Sequence, residues 1–272
     1  MCIRDRHNSS EYINLLAETM KYAYADRSKY LGDPDFYNVP IKKVTSKKYA
    51  NEISNNIEIG KAASVEDIYP GKFIENESHE TTHFSVVDKN GNVVSMTYTL
   101  NSTFGSKVVI KGTGILMNNE MDDFSAAPGI PNQFNLLGAE ANQIAPYKRP
   151  LSSMTPTIVL KNNELFFTTG SPGGARIISA VLQSILNIVD FDMNLEEATF
   201  AKRIHHQWYP DVLEIEFSLD SEDEAELRKM GYSTSIILPL TCLQTIMFKE
   251  DTYYGYGDFR RVDALASGDI ND

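Results

Sequence analysis

Two cysteines, Cys2 and Cys242, are all that the 272 residues contain, too few for a disulfide framework and without the spacing of a metal site. They leave the redox compartment open. Basic residues are scarce as well: 25 Lys and Arg against 37 Asp and Glu give a formal charge of −12. Phosphate binding rests on clustered Lys and Arg, so nucleic acid is not expected as a partner. Such acidity commonly does no more than keep chains apart in solution. No window approaches the uninterrupted apolar run of a membrane span, and none is expected. The start, Met1 to Arg6, carries the charge of a secretory leader without the apolar stretch that should follow, so no export signal is visible. Internal repeats and low-complexity tracts are lacking. Nothing calls for a cofactor or a metal, and neither is expected.

What is present is a 42% hydrophobic chain able to bury a substantial core, long for one domain and short for two. Tyr12, Leu15, Leu16, Thr19, Met20 and Ala23 share a face at helical spacing and predict a helix from about Ser10 to Leu31-Gly32. A weaker helix is expected from a Ser46 cap to about Ile57. Between Gly60 and Glu80 the periodicity disappears in favour of Gly, Pro, Ser, Asn and Glu, the composition of a loop or a cuttable linker. Strands are expected at Thr155 to Lys161, Leu165 to Thr169, Val212 to Phe217, Ser233 to Ile237 and Gln244 to Phe248. Helices are expected from Ile177 to Val189, Leu195 to Ala201 and Ser221 to Met230. The Gly-, Pro- and Asn-rich run from Pro128 to Pro146 has the composition of a lid or an ordinary surface loop. Helices before and after strand hairpins suggest a layered α+β protein with helices covering stacked antiparallel sheets.

Three stretches carry chemistry. In Glu80-Thr81-Thr82-His83-Phe84-Ser85-Val86-Val87-Asp88 a period-two pattern closes at the turn Asp88-Lys89-Asn90-Gly91-Asn92, and Val93 to Thr99 returns as the second strand of a hairpin. The threonine heading it follows the linker. If the chain were cut before it, a free N-terminal threonine would carry nucleophile and base on one residue, its α-amine having a pKa near ~8. Read alone, a Thr-Thr pair opening a strand is ordinary β-propensity. Asn118-Asn119-Glu120-Met121-Asp122-Asp123 packs three carboxylates and two amides together. Such a group could hold a hard cation, receive an ammonium group or, by default, cover a solvated turn. Gly170-Ser171-Pro172-Gly173-Gly174 ends a strand and opens a helix, where bare N–H groups suit an oxyanion or a phosphate. A tight turn needing positive φ explains it equally. The adjacent His205 and His206 point different ways from any regular element and read as structural.

Taken together these residues carry a resemblance. Thr81 to Asp88, Thr97-Tyr98-Thr99-Leu100-Asn101, Asn118 to Ser125, Arg149-Pro150-Leu151-Ser152-Ser153-Met154 and Gly170 to Gly174 resemble, in order, the small subunit of the γ-glutamyltranspeptidases. Tyr22 to Arg27 with Leu31 to Pro34 resembles the end of the family's large subunit. The resemblance implies a four-layer αββα N-terminal-nucleophile (Ntn) hydrolase that cuts itself between Glu80 and Thr81. Residues 1–80 would be a remnant of the large subunit and residues 81–272 the catalytic subunit. It implies further that Thr81 attacks γ-glutamyl amides such as glutathione, that Thr99 orients it, and that the Gly173 and Gly174 amides hold the oxyanion. Asn101, Glu120 and Asp123 would bind the substrate's ammonium, and Ser152 and Ser153 its carboxylate. Water or an acceptor amino acid or peptide would take the glutamyl group.

The large subunit of the same precursor would be the protein partner, and the location periplasmic or extracellular. The family's large subunit is longer than the part preceding Thr81 here and supplies an arginine for the substrate carboxylate; no residue of this chain takes that role. Met1 to Arg6 matches nothing in the family, as expected of an incomplete product. Phe134 stands where some relatives carry a tyrosine that bonds the asparagine at Asn101's position, so that latch is not expected. An acylase acting on another amide, or a non-catalytic fragment, stand as alternatives.

Overall fold

The computed structural model describes residues 6–68, 81–127, 129–217, 219–239 and 241–268. In chain order its helices are α1 (Ser10–Tyr30), α2 (Ile41–Val44), α3 (Lys47–Asn56), α4 (Arg176–Val189), α5 (Leu195–Phe200) and α6 (Ser221–Lys229). Its strands are β1 (Thr82–Val87), β2 (Val93–Tyr98), β3 (Thr157–Lys161), β4 (Glu164–Thr169), β5 (Ile204–His205), β6 (Leu213–Glu216), β7 (Thr234–Ile237), β8 (Gln244–Lys249) and β9 (Thr252–Gly257). They fall into two compact units between which the chain passes repeatedly. One holds residues 1–78, 119–152 and 204–237; the other holds 79–118, 153–203 and 238–272.

The first unit is organised around α1. Ser9 caps it by accepting from the Tyr12 N–H at 3.3 Å, and its apolar face buries Tyr12, Ile13, Leu16, Ala17, Met20 and Tyr24. A second face of the same helix is polar and equally buried. Lys21 is fully enclosed, with its ammonium 2.9 Å from Glu18 and 2.8 Å from the Ala63 carbonyl. Glu18 in turn accepts from the Tyr232 hydroxyl at 2.6 Å, and Asn14 donates to that hydroxyl at 2.8 Å. A buried charge is tolerable only with such complete pairing. The sheet of this unit runs β5-β6-β7. Its β6–β7 pair is parallel, an addition to the antiparallel sheets expected: α6 supplies the crossover that brings β7 back alongside β6. His205 and His206 are buried in structural roles, His205 against Gln207 at 2.9 Å and His206 accepting from the Trp208 N–H at 3.2 Å.

In the second unit every pair is antiparallel. The β1–β2 hairpin runs in register from Thr82↔Tyr98 to Val87↔Val93. Asp88 fixes its turn by accepting from the N–H groups of Asn90 and Asn92, both at 2.8 Å. A four-stranded sheet has the order β3-β4-β8-β9. Its hairpin turns, Asn162-Asn163 and Glu250-Asp251, both place two consecutive residues at positive φ, the geometry that matches strand twist. The hairpin sits against this sheet, with Ser85 donating to the Gln244 carbonyl at 3.3 Å and Ser95 to the Thr169 carbonyl at 3.2 Å. Phe167, Ile188, Leu195, Ala198 and Met247 form the core between sheet and helices.

Candidate active site

Thr81 directly precedes β1 and is buried. Its Oγ1 donates to Thr99 Oγ1 at 3.3 Å, and that same Thr99 oxygen accepts from the Asn101 N–H at 2.9 Å. The bond to Asn101 is made possible by its left-handed backbone, φ 74°, a conformation asparagine adopts more readily than most residues. A chain of hydroxyl and amide therefore fixes the rotamer of the Thr81 hydroxyl. Arg261 donates from Nη1 to the Thr81 carbonyl at 3.2 Å, a contact no sequence signal foretold. Glu80, the other side of the expected cut, lies outside the described residues.

Two residues beyond Thr81, His83 packs its ring on Gly170, where any Cβ would collide with it. Its Nδ1 is 2.8 Å from Thr97 Oγ1 and its Nε2 3.2 Å from Ser85 Oγ. Burial pushes the His83 pKa down to about 4, so the ring is neutral at physiological pH. The chain leaving Gly170 forms the glycine turn. Gly173 and Gly174 have φ of 137° and 56°; the first is a backbone conformation that side chains rarely adopt, and the second lies in the left-handed region that favours glycine. Their carbonyls start α4 by accepting from the N–H groups of Arg176 and Ile177 at 3.1 and 3.2 Å. Ser171 accepts from the Cys242 N–H at 2.9 Å, and the Gln244 N–H donates to the Gly170 carbonyl at 3.0 Å. The turn is thereby tied to the strand beside it, at the positive end of a helix dipole.

The acidic turn belongs to the other unit. Glu120 and Asp123 occupy a single 3-10 turn, Glu120–Asp123, and are half-buried. Burial first, and then the neighbouring Glu120 carboxylate, push the Asp123 pKa up to about 8, against the opposing pull of Arg27. Burial raises Glu120 too. Two neighbouring carboxyls in this environment hold a proton above the usual carboxylate range. Asp122 faces elsewhere and caps the following loop, accepting from the Gln133 N–H at 2.8 Å. That loop is a packed element: Phe134, Leu136, Leu137 and Ala141 are buried, and the Phe134 carbonyl accepts from Gln207 at 2.9 Å.

Ser152 is exposed and Ser153 half-buried. The run leading to them is anchored by Arg149, whose guanidinium grips Asp33 at 2.6 and 2.9 Å and Asp35 at 2.6 Å. That pairing holds the Asp33 carboxyl well below the usual carboxylate range. Among the described residues no group of three or more His, Cys, Asp or Glu side chains is arranged to hold a metal ion. No helix there is long and apolar enough to cross a membrane.

The helices and antiparallel sheets are those of an α+β protein of the Ntn-hydrolase fold class. A cephalosporin acylase from Bacillus halodurans shares that fold at a TM-score of 0.81 over 98% of this chain and 46% of its own, with 23% identity. The chain belongs to the γ-glutamyltranspeptidase family, whose model matches residues 2–268. It is 49% identical over 261 residues to the glutathione hydrolase proenzyme of Escherichia coli K12, covering 96% of this chain and 45% of that protein. A γ-glutamyltranspeptidase T380A mutant from Helicobacter pylori is similar in structure at 50% identity. Its TM-score is 0.64, over 66% of this chain and all of the solved one. The chain thus spans about half the length of the curated relatives it matches.

Proposed function

We propose that this chain is the nucleophile-bearing part of a γ-glutamyltransferase and glutathione hydrolase. Its precursor would cut itself between Glu80 and Thr81, leaving residues 1–80 with the large subunit and 81–272 as the catalytic subunit. The observation that carries the reading is the Thr81–Thr99–Asn101 hydrogen-bond chain at the head of a strand, in a chain similar to glutathione hydrolase proenzymes. The Thr81 hydroxyl attacks the Glu80 carbonyl, forming an ester that water opens. The freed α-amine then accepts the hydroxyl proton.

In the mature protein Thr81 Oγ1 attacks the γ-carbonyl of glutathione or a related amide. The Gly173 and Gly174 N–H groups receive the oxyanion, a contribution of about 3 kcal/mol per donor. The protonated amine returns its proton to the leaving amine, and water or an acceptor amino acid or peptide releases the glutamyl group. Glu120 and Asp123, with Asn101, hold the substrate ammonium, and Ser152 and Ser153 its carboxylate. Burial raises both carboxyl pKa values and Glu120 raises that of Asp123 further, a strain that a bound ammonium would relieve, which favours γ-glutamyl over amine-free acyl substrates. A periplasmic or extracellular location goes with this reading.

The test is covalent labelling with a γ-glutamyl-like electrophile, with peptide mapping. Modification of Thr81 together with turnover of a γ-glutamyl anilide is the expected result. A label on another residue, or none in a chain joined to a relative's upstream region, overturns the reading.

A further inference from the structure

Asn142 lies at the end of a 3-10 turn, Glu140–Asn142, and is buried. It is nineteen positions from Asp123 and nine from Leu151, and it bonds to both. Its Nδ2 donates to the Asp123 carbonyl at 2.8 Å, and its Oδ1 accepts from the Leu151 N–H at 3.0 Å. Because a carbonyl only accepts and an amide N–H only donates, these partners dictate the orientation of the side-chain amide. The backbone of Asn142 is committed as well, its carbonyl accepting from the Ser125 N–H at 2.9 Å and its N–H donating to the Ala139 carbonyl at 3.1 Å. One residue therefore ties the acidic turn at Asp123 and Ser125 to the residue directly before Ser152.

Its own position is fixed from behind. Ala141 is fully buried, and its carbonyl accepts from Lys148 at 2.9 Å. A Cβ on Gly32 would overlap that same carbonyl. Asp123, Asn142, Leu151 and Arg27 line one small pocket. No other side chain type fills the place: aspartate loses the donor, leucine loses both bonds, and glutamine is one methylene too long.

We propose that Asn142 is a positioning residue that sets the separation between the carboxylates receiving the substrate ammonium and the serine run receiving its carboxylate. The inference rests on the γ-glutamyl reading. The ammonium and carboxylate of a glutamyl group sit on one carbon, so the two subsites serve only at a fixed span. A residue hydrogen-bonded to both backbones fixes that span before substrate arrives, and its loss acts on binding ahead of chemistry.

The test compares Asn142→Leu and Asn142→Asp with the unaltered sequence, in this chain and in the same chain joined to the upstream portion of the Escherichia coli proenzyme. Turnover of a γ-glutamyl anilide is set beside that of the glutaryl anilide, which lacks the amine. Rates are normalised to the fraction labelled at Thr81. The expected result is a rise in KM of about tenfold for the γ-glutamyl anilide with kcat nearly kept, and a similar loss of preference over the glutaryl anilide. If Asn142→Leu folds poorly, Asn142→Asp, which keeps the acceptor for Leu151, carries the comparison. Unchanged KM and preference, with only a smaller labelled fraction, overturns the inference alone. No γ-glutamyl turnover by the unaltered sequence in either form overturns it together with the reading beneath it.

Discussion

The two units hold their buried polar groups with different chemistry. The unit carrying Thr81 positions its groups with hydroxyls, backbone amides and a neutral histidine, on strands and at a strand-to-helix turn. The unit carrying Asp123 relies on charge held in a loop: paired carboxylates, the buried Arg27 and the Arg149 grip on Asp33. On the γ-glutamyl reading, the first set of groups would serve the carbonyl chemistry and the second the recognition of a substrate ammonium, whose charge would offset the burial of the carboxylates. Within the Thr81 unit His83 stays neutral near pH 7, whereas in the Asp123 unit a carboxyl titrates close to that range.

Substitutions can break that contrast. Asp123→Ala should cost most, about 10³-fold in kcat/KM for a γ-glutamyl anilide, since a substrate ammonium left without its partner loses several kcal/mol. The glutaryl anilide should lose far less, and equal losses would mean that Asp123 does not read the ammonium. Gly173→Ala should lower kcat about 10²-fold for both substrates alike, because a side chain at φ 137° twists the oxyanion N–H groups out of line. Thr99→Val should cost about tenfold in kcat, with Thr99→Ser recovering most of it.

The smallest effect sharpens the contrast through pH. Asp123 holds its proton more tightly folded than unfolded, so its contribution to stability is complete below the ordinary carboxylate range and is lost as pH rises toward about 8. Melting temperature should decline across that window in the wild type and decline less in Asp123→Asn. KM for the γ-glutamyl anilide should fall over the same window as the pair ionises. A flat KM profile would detach the pair from substrate binding.

Much of this is legible in the sequence. The alternation of Thr82 to Val87 and the Asp88-Lys89-Asn90-Gly91 turn specify the hairpin, and Ser46 caps α3 as expected. β9 escaped because its turn, Glu250-Asp251, lacks the glycine or asparagine that usually marks two consecutive positive-φ positions. β5, two residues long, offers no period to read. The polar face of α1 formed by Asn14, Glu18 and Lys21 is buried because its partners Ala63 and Tyr232 meet it only in three dimensions. The same holds at the site. Thr81, Gly173 and Asp123 stand in local motifs, whereas Arg261 reaches Thr81 from 180 positions away and Asn142 joins two segments that no spacing relates.

The most direct measurement is the intact mass of the expressed protein, for this chain and for the chain joined to a relative's upstream region, each with its Thr81→Ala counterpart. The account predicts two fragments meeting between Glu80 and Thr81, and a single uncut species in both Thr81→Ala proteins. An uncut product in both unaltered forms, or a cut that survives Thr81→Ala, would contradict the assignment of Thr81 as a self-released nucleophile.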